Sequence, residues 1–232
     1  MFARSILFYI LICFWTVFLG VICLPFLILP STYLGQPVRL WIIGIFALLK
    51  YVCQITHEIQ GKENIPSHSV LVASKHQSAF ETFALFYYLP QAIFIHKKQL
   101  FLIPIFGQYL KKINMISINR KGGPSAMRLI LKQTKMKSAI GFSIIIFPEG
   151  TRKKPGDMPD YKSGFVGIYK EMNTEILPVA VNSGKFWPKH TFIKNPGHII
   201  IKFLEIIPAN LERSIILKKV QKVIEDESNR IN

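Results

Sequence analysis

Acidic residues are scarce in this chain, and long segments have none at all. The 232 residues include 13 Asp and Glu against 29 Lys and Arg, which gives a formal net charge of +16 at pH 7. From Thr82 to Pro148 there is no carboxylate, although ten Lys and Arg residues lie in the same stretch. A charge balance of this kind indicates an anionic partner, such as lipid headgroups, a phosphorylated substrate or nucleic acid.

Charge of either sign is absent between Arg4 and Arg39, and most of that interval is apolar. Residues 6–24 would span roughly 28 Å as a straight helix, which is about the thickness of the hydrocarbon core of a bilayer. A second apolar block, Leu40–Leu49, is too short to span and is typical of an interfacial or re-entrant helix. Prolines and a glycine between the blocks favour a turn, so the segment predicts a hydrophobic helical hairpin.

A cleaved signal peptide is the alternative interpretation of this segment. The apolar run is too long for a signal peptide, and no small-x-small cleavage site follows it. We therefore expect residues 1–57 to form a membrane anchor that the mature protein keeps. The sequence leaves open whether this anchor spans the bilayer or lies in one leaflet. An anchor next to a basic segment favours anionic membrane lipid over nucleic acid, because the cations are not interleaved with base-stacking aromatics.

Cysteine is also rare, which excludes a disulfide framework or a thiolate metal site. The three cysteines, Cys13, Cys23 and Cys53, lie in or beside the apolar segment and have no metal-ligand spacing. They are typical of small apolar residues in a reducing compartment, and the sequence predicts no metal site.

Beyond about residue 57, short apolar runs alternate with helical patterns. The predicted strands are Val70–Ser74, Ala92–Ile95, Met115–Ile118, Ser143–Phe147, Ile176–Val181 and Ile199–Leu204. The predicted helices are Phe80–Tyr88, Pro104–Lys112, Pro124–Lys137, Ser163–Met172 and Leu211–Ser228. This alternation predicts an α/β domain over residues 58–232, in which helices flank a largely parallel central sheet and the hydrophobic hairpin comes first.

The segment Phe147–Arg152, FPEGTR in one-letter code, follows an apolar, β-branched run that predicts a buried strand. Its proline and glycine end the strand and leave a carboxylate, a hydroxyl and a guanidinium on the exit loop. An arginine beside a turn with free backbone N–H groups suits a phosphate, because its planar fork donates two parallel hydrogen bonds. The alternative is a solvated turn with an incidental surface salt bridge.

His76 and Glu81 follow another predicted strand, five positions apart. A histidine on a strand-exit loop can be held by a carboxylate from the first turn of the next helix. The carboxylate accepts a hydrogen bond from one ring nitrogen and leaves the other free as a general base. The spacing alone is a weak signal, but the other five histidines have no acid at this distance.

Arg120 lies in a third basic segment, which follows the predicted strand Met115–Ile118. Taken alone, this segment is typical of an ordinary basic turn. However, His76, Arg120 and the Phe147–Arg152 loop each follow a separate strand in the same sense. In a parallel sheet those strand ends share one edge, where ligands bind in α/β proteins. The sequence therefore predicts a general base and two arginines at one edge.

These segments resemble the motifs of the glycerolipid acyltransferase family, which includes the 1-acylglycerol-3-phosphate (lysophosphatidate) acyltransferases. The family's His-x4-Asp motif is similar to His76–Glu81, with Glu in place of Asp. Its second motif, an apolar run ending in Arg, resembles Ile116–Arg120, and its third, Phe-Pro-Glu-Gly-Thr-Arg, is matched in full. Its fourth, an apolar run with proline, resembles Ile176–Ala180. Lys97 resembles a family lysine that precedes a Gln/Glu–Leu pair.

The resemblance implies transfer of a fatty acyl group from acyl-CoA or acyl carrier protein to the free hydroxyl of lysophosphatidate, giving phosphatidate in phospholipid biosynthesis. His76 would take the hydroxyl proton, and Glu81 would fix the histidine tautomer and stabilise the imidazolium. The resemblance implies no cofactor and no metal, because the acceptor hydroxyl itself attacks the acyl carbonyl. The residues implied in binding the acceptor phosphate are Lys97, Arg120, Glu149, Gly150, Thr151 and Arg152.

Two other functions stay open from the sequence. The acyl acceptor could be glycerol-3-phosphate or another lysolipid, or the chain could be a non-catalytic protein that binds anionic membranes. The expected partners are a lysophospholipid, an acyl thioester, anionic membrane lipid and acyl carrier protein, and nucleic acid is not expected. The expected location is the membrane, with the catalytic domain on the cytoplasmic face of a bacterial inner membrane.

Overall fold

The computed structural model describes residues 1–89, 91–103, 105–113, 115–118 and 122–232. The helices are α1 (Phe2–Ile22), α2 (Gly35–Tyr51), α3 (Phe80–Tyr88), α4 (Phe106–Lys112), α5 (Gly123–Ala139), α6 (Gly164–Met172) and α7 (Arg213–Arg230). The strands are β1 (Ile55–Gln60), β2 (Leu71–Ser74), β3 (Ala92–Lys97), β4 (Ile116–Ile118), β5 (Ser143–Ile146), β6 (Ile176–Val181) and β7 (Gly197–Phe203). Every predicted strand and every predicted α/β-domain helix is present, with ends that differ by at most two residues.

The described strands form one sheet in the order β1-β7-β6-β2-β5-β3-β4. Strands β2 to β6 all run in the same direction, with β2 at the centre between β5 and β6. Strand β7 is antiparallel to β6, and β1 is parallel to β7. The expected α/β fold with a largely parallel sheet flanked by helices is confirmed.

Strand β1 is absent from the sequence prediction. Its sequence, ITHEIQ, has two apolar residues among four polar ones, and only Ile55 is buried. The reason is its place at the edge of the sheet, where one strand side has no neighbour and the side chains are half exposed. Such a strand gives no continuous apolar run.

Two apolar cores lie on opposite faces of the sheet. Helices α1, α2 and α3 cover one face, where Phe8, Leu49 and Phe80 pack against strand residues such as Val72. Helices α5, α6 and α7 cover the other face. Successive side chains of a strand point to opposite faces, so a strand covered on both sides is apolar throughout. This explains why the central strands were visible in the sequence.

The stripe Ile216, Val220, Ile224 on α7 has a spacing of four residues and is fully buried. Residues at this spacing lie on one helix face, so α7 packs against the sheet along a single apolar stripe. Burying each such side chain stabilises the fold by roughly 1.5–3 kcal/mol. The stripe fixes the rotation of α7 about its axis, which decides where its polar residues lie.

The N-terminal hairpin consists of α1 and α2, as expected. Two helical segments, Phe2–Ile22 and Ser31–Tyr51, are long and apolar enough to cross a membrane by length and composition alone. One side of α1 is part of the protein core, since Phe8 is fully buried. Its other side is exposed and apolar, with Phe14 at 66% and Phe18 at 45% exposure.

Helix α2 is longer than the apolar block Leu40–Leu49 predicted. It begins at Gly35, because Pro37 lies in the first turn, where the backbone N–H groups have no partner within the helix anyway. Strand β1 follows after only three residues and crosses the predicted boundary between residues 57 and 58. The division of the chain into an anchor and an α/β domain at that boundary stays a prediction.

Candidate active site

Strands β2 to β6 end at one edge of the sheet, since they share one direction. His76 follows β2 at this edge, the loop Glu149–Arg152 follows β5, and Lys97 is the last residue of β3. Arg120 is two residues past the end of β4 and lies outside the described residues. The four predicted site residues Glu149–Arg152 thus lie next to His76, at the edge of the sheet where parallel α/β proteins bind ligands.

His76 and Glu81 are in direct contact, with 2.9 Å between His76 Nδ1 and Glu81 Oε1. Glu81 lies in the first turn of α3, where the positive end of the helix dipole favours a carboxylate. Because a carboxylate only accepts hydrogen bonds, Nδ1 carries the ring proton and Nε2 is left with its lone pair. This is the tautomer that a general base requires.

The Glu81 carboxylate is fully buried and accepts four further hydrogen bonds. Its Oε1 accepts the backbone N–H groups of Gln77 at 2.6 Å and Ser78 at 2.7 Å. Its Oε2 accepts the hydroxyls of Ser78 and Ser183, both at 2.7 Å. Burial raises the pKa of the Glu81 carboxyl, but the hydrogen bonds from His76 and Ser78 outweigh burial and hold the pKa below its ordinary value. The group is therefore ionised at neutral pH.

The His76 ring stacks on the ring of Phe147, with centroids 3.8 Å apart and planes 14° from parallel. Phe147 in turn stacks on Phe94 of β3, with centroids 5.9 Å apart. The hydrogen bond to Glu81 and the ring of Phe147 together restrict both rotatable bonds of the histidine side chain. The side chain of His76 keeps 14% exposure, so one part of the ring stays accessible.

The loop that follows β5 is tied to the backbone of His76 on both sides. The N–H of His76 donates to Glu149 Oε2 at 3.3 Å, and its carbonyl accepts the N–H of Lys153 at 2.8 Å. A turn within the loop is closed by the N–H of Gly150, which donates to the Phe147 carbonyl. Gly150 has φ = +67°, a left-handed conformation that glycine adopts without strain. The two motifs therefore form one unit.

The side chain of Glu149 is buried, whereas the sequence reading placed it with the phosphate-binding residues. Its Oε1 lies 2.6 Å from the ammonium of Lys75, in an ion pair that lacks the direction of a hydrogen bond. Burial raises the pKa of the Glu149 carboxyl to about 7, although the Lys75 ammonium opposes this shift. Glu149 therefore contacts Lys75 and the His76 backbone within the protein, and its assignment to the phosphate-binding residues stays a prediction.

Arg152, Thr151 and Lys97 have accessible side chains at the same edge. Arg152 is half-buried, and Thr151 and Lys97 are exposed. The ammonium of Lys189 lies 3.4 Å from the Thr151 hydroxyl, which adds a cation that the sequence reading did not select. Among the described residues, no group of three or more His, Cys, Asp or Glu side chains could hold a metal ion.

An apolar cavity of about 480 Å³ lies between α1, α2, α3, β3 and α4. The side chains that line it are almost all aliphatic or aromatic, so its chemistry suits a hydrocarbon chain. Phe94 belongs to its wall and stacks on Phe147, and Phe147 stacks on the His76 ring. Two ring contacts therefore connect the cavity wall to His76.

Besides Lys189, sequence reasoning missed Lys75, Ser78 and Ser183. Lys75 and Ser78 lie inside the segment that contains His76, and the structure shows that both are buried. Ser183 follows the predicted strand Ile176–Val181, so its place at the active edge follows from the strand direction. Nothing in the sequence indicated that Ser183 contacts Glu81, which is 102 residues earlier.

The sequence profile of the Acyltransferase family matches residues 56–182. A protein from Pseudomonas aeruginosa named 1-acyl-sn-glycerol-3-phosphate acyltransferase is 35% identical over 152 residues, which cover 66% of this chain and 59% of that protein. A protein of the same name from Borreliella burgdorferi is 30% identical over 201 residues, covering 81% of this chain and 75% of its own. A third protein of this name, from Limnanthes douglasii, is 28% identical, and the match covers 56% of that protein. The chain spans under two thirds of the Pseudomonas and Limnanthes relatives.

A solved structure has the same fold. It is the crystal structure of the 1-acyl-sn-glycerophosphate (LPA) acyltransferase PlsC from Thermotoga maritima, with a TM-score of 0.83 and 22% sequence identity. The superposition covers 99% of this chain and 95% of the other. The likeness therefore includes the two N-terminal helices as well as the sheet.

Proposed function

Because the chain belongs to the Acyltransferase family, we propose that it transfers a fatty acyl group from an acyl thioester to the free hydroxyl of lysophosphatidate. The product is phosphatidate, and the pathway is phospholipid biosynthesis. The donor is acyl-CoA or acyl carrier protein. The observation that supports this proposal is the contact between His76 and Glu81, in a loop whose backbone is hydrogen-bonded to the loop that contains Arg152.

The base acts directly on the acceptor. Nε2 of His76 takes the proton of the acceptor hydroxyl while the oxygen forms a bond to the thioester carbonyl carbon. The tetrahedral intermediate then collapses, the carbon–sulfur bond breaks, and the imidazolium returns the proton to the leaving thiolate. Glu81 stabilises the imidazolium between these two steps. The chemistry needs no protein nucleophile, no metal and no cofactor.

The acceptor phosphate binds to the cations of the active edge. Arg152 offers a bidentate pair of donors, and Gly150 allows the phosphate to approach the backbone closely. Thr151 and Lys97 add a hydroxyl and an ammonium from either side. Arg120, which lies outside the described residues, is the second arginine of this proposed site. Lys97 is also a candidate for stabilising the oxyanion of the tetrahedral intermediate.

The apolar cavity accepts the fatty acyl chain of one substrate. Phe94 belongs to its wall and stacks on Phe147, which stacks on His76. A chain that extends out of the cavity along these rings would bring its carbonyl to the base. The chain's hydrocarbon loses contact with water there, which favours binding by about 0.8 kcal/mol per buried CH₂. Residues of α1 also line the cavity, so the N-terminal hairpin contributes to substrate binding.

The protein acts at a membrane surface. Its exposed apolar face on α1 suits the lipid interior, and its excess of Lys and Arg suits anionic headgroups. The proposed location is a bacterial inner membrane, with the α/β domain on the cytoplasmic face. Acyl carrier protein is the proposed protein partner if the donor is not acyl-CoA.

The test is a panel of acceptors offered to the purified full chain in mixed micelles. Lysophosphatidate, glycerol-3-phosphate and other lysolipids are each combined with one of two thioester donors, acyl-CoA or acylated acyl carrier protein. Mass spectrometry identifies the lipid products. We expect phosphatidate from lysophosphatidate. Transfer only to another acceptor would overturn the assigned substrate, and no thioester consumption with any acceptor would favour the non-catalytic alternative. His76→Ala is the matched negative control.

A further inference from the structure

A lysine next to the catalytic histidine is buried and held from the opposite side of the sheet. Lys75 is 3% exposed, and its ammonium lies 2.6 Å from Glu149 Oε1. The same ammonium donates to both oxygens of Glu225 on α7, at 2.7 and 2.8 Å. The hydroxyl of Tyr161 donates to Glu225 Oε1 at 3.1 Å. Four polar groups from four parts of the chain therefore meet beneath the catalytic loop.

This group is electrostatically demanding. Burying an ammonium is unfavourable unless charged or hydrogen-bonding partners surround it, and Lys75 has two carboxylates in contact. Removing one partner would leave the other charges incompletely compensated. Glu225 is itself largely buried, with 14% exposure, and the apolar stripe of α7 fixes the helix face on which it lies. The arrangement is therefore specific rather than an incidental surface pair.

A continuous series of contacts joins Glu225 to the histidine. Glu225 contacts the Lys75 ammonium, Lys75 contacts Glu149, and Glu149 accepts the backbone N–H of His76. Lys75 also precedes His76 directly, so holding the lysine side chain on one side of the backbone fixes the direction of the next residue. Both routes end at the backbone of His76, which carries the imidazole.

We propose that Glu225 is a positioning residue for acyl transfer, through which helix α7 holds the Lys75–Glu149 pair and thereby the backbone of His76. This inference rests on the proposed function for its activity readout. Glu225 does not touch the reacting atoms. Its effect is on the fraction of molecules in which Nε2 of His76 is aligned with the acceptor hydroxyl, so it affects turnover more than substrate binding.

The experiment compares Glu225→Gln with two other variants of the full chain. Glu227→Gln is the matched control, because Glu227 lies on the same helix, is 16% exposed and pairs with Lys202 of β7 instead of the catalytic loop. Glu225→Asp keeps the charge with a shorter side chain. For each variant, kcat and the acceptor KM are measured with the substrate pair that the wild type uses best.

We expect Glu225→Gln to lower kcat by about tenfold with an acceptor KM within twofold of the wild type. Glu225→Asp should recover part of the loss, and Glu227→Gln should keep at least half of the wild-type kcat. Equal losses in Glu225→Gln and Glu227→Gln would show that α7 only needs to be docked. A wild-type kcat in Glu225→Gln would also overturn the proposal.

A second readout does not depend on acyl transfer. Diethyl pyrocarbonate modifies the free nitrogen of histidine, and peptide mass spectrometry gives the rate at His76 relative to the exposed His68 and His190 of the same molecule. We expect Glu225→Gln to change the relative rate at His76 threefold or more and Glu227→Gln to leave it unchanged. An unchanged rate in Glu225→Gln would overturn the proposal even if the wild type transfers no acyl group.

A milder variant guards against loss of folding. Tyr161→Phe removes only the hydroxyl that donates to Glu225, and the ring itself stays available to pack in its buried position. We expect a kcat loss of about two- to threefold and a smaller change in the His76 modification rate. If Glu225→Gln does not fold and Tyr161→Phe behaves as the wild type in both assays, the proposal is wrong.

Discussion

Ser183 Oγ lies 2.7 Å from Glu81 Oε2, so a residue just beyond β6 holds the carboxylate that contacts His76, the proposed general base. The same carboxylate receives two backbone N–H groups from the loop before α3. Glu81 occupies the position at which the family motif described above has Asp. The extra methylene of glutamate lets one carboxylate reach both the His76 ring and the Ser183 hydroxyl.

Replacing His76 by Ala should reduce acyl transfer by about 10²–10⁴-fold, because the general base is lost. The substitution removes a half-buried ring from the stack on Phe147 but leaves the backbone contacts of the loop in place. Initial rates with saturating donor and acceptor measure the effect. His68→Ala is the control, since His68 is exposed and pairs with Glu175 far from the active edge. Near-normal turnover by a folded His76→Ala variant would contradict general-base catalysis by His76.

The Glu81→Gln variant should lose most activity, because an amide neither enforces the Nδ1–H tautomer nor stabilises the imidazolium. Glu81→Asp should be impaired less, since it keeps the charge but its shorter side chain must give up either His76 or Ser183. The activity of Ser183→Ala should lie between the activities of Glu81→Asp and the wild type. Rate measurements on the three variants test this order. Full activity of Glu81→Gln would mean that Glu81 only stabilises the start of α3.

Arg152→Ala should raise the acceptor KM much more than the donor KM, because a bidentate phosphate contact is lost. Lys154→Ala is the matched control, since Lys154 is an exposed cation two residues further along the same loop. Steady-state kinetics with each substrate varied in turn separate the two effects. A rise in the thioester KM alone would assign Arg152 to the donor.

The contribution of Glu149 to the stability of the protein should fall as the pH rises from about 5 to 8. Its pKa is about 7 in the folded protein, above the ordinary value of 4.5. Between these values the folded state holds a proton that the unfolded state has released, so raising the pH favours unfolding. The contribution of Glu149 over this interval is at most about 3 kcal/mol.

The measurement is the thermal unfolding midpoint of the detergent-solubilised protein at pH 5 and pH 8. Glu149→Gln mimics the protonated carboxyl at every pH, so the midpoint of the wild type should fall relative to that of the variant between pH 5 and pH 8. The same pH dependence in both proteins would contradict the raised pKa.

Membrane binding should depend on the exposed side of α1. The double variant Phe14→Glu/Phe18→Glu places two charges on that side and should release much of the protein from vesicles of mixed neutral and anionic lipid. Deleting residues 1–57 is a poorer test, since it would remove core residues such as Phe8 and Leu49 as well as part of β1.

Vesicle co-sedimentation at low and high salt measures this binding. Leu129→Glu is the control, because Leu129 is a similarly exposed apolar residue on α5, which covers the opposite face of the sheet. Binding that remains in the double variant at high salt would place the main membrane contact elsewhere. Binding that remains only at low salt would indicate the basic surface.

The sequence predicted the parallel sheet because the inner strands are covered on both faces and are therefore apolar throughout. It also predicted the pairing of His76 with Glu81, since both residues lie on one short loop and its helix. Contacts between distant parts of the chain have no such signal. Strand β6 brings Ser183 to the site, and helix α7 brings Glu225 there. The direction of β6 could be predicted, but the contact of α7 with the site could not.

The side on which a loop residue lies could not be predicted either. In the Phe147–Arg152 segment, alternate polar residues have opposite environments: Glu149 is buried against Lys75, and Thr151 is exposed. The turn at Gly150, with its positive φ, produces this difference. The types of residue in a segment do not reveal such a backbone conformation. The sequence therefore predicted Glu149 to lie with the accessible phosphate-binding residues.

The hydrogen bonds of Glu149 and Lys153 to the two backbone groups of His76 have a consequence for the choice of acceptor. They hold the backbone of His76 against the loop that contains Arg152, so the protein limits the distance between the proposed base and the proposed phosphate site. An acceptor can engage both only if its hydroxyl and its phosphate are a matching number of bonds apart. The site would then measure headgroup geometry, and a phosphate one carbon too far from the hydroxyl would bind without reacting.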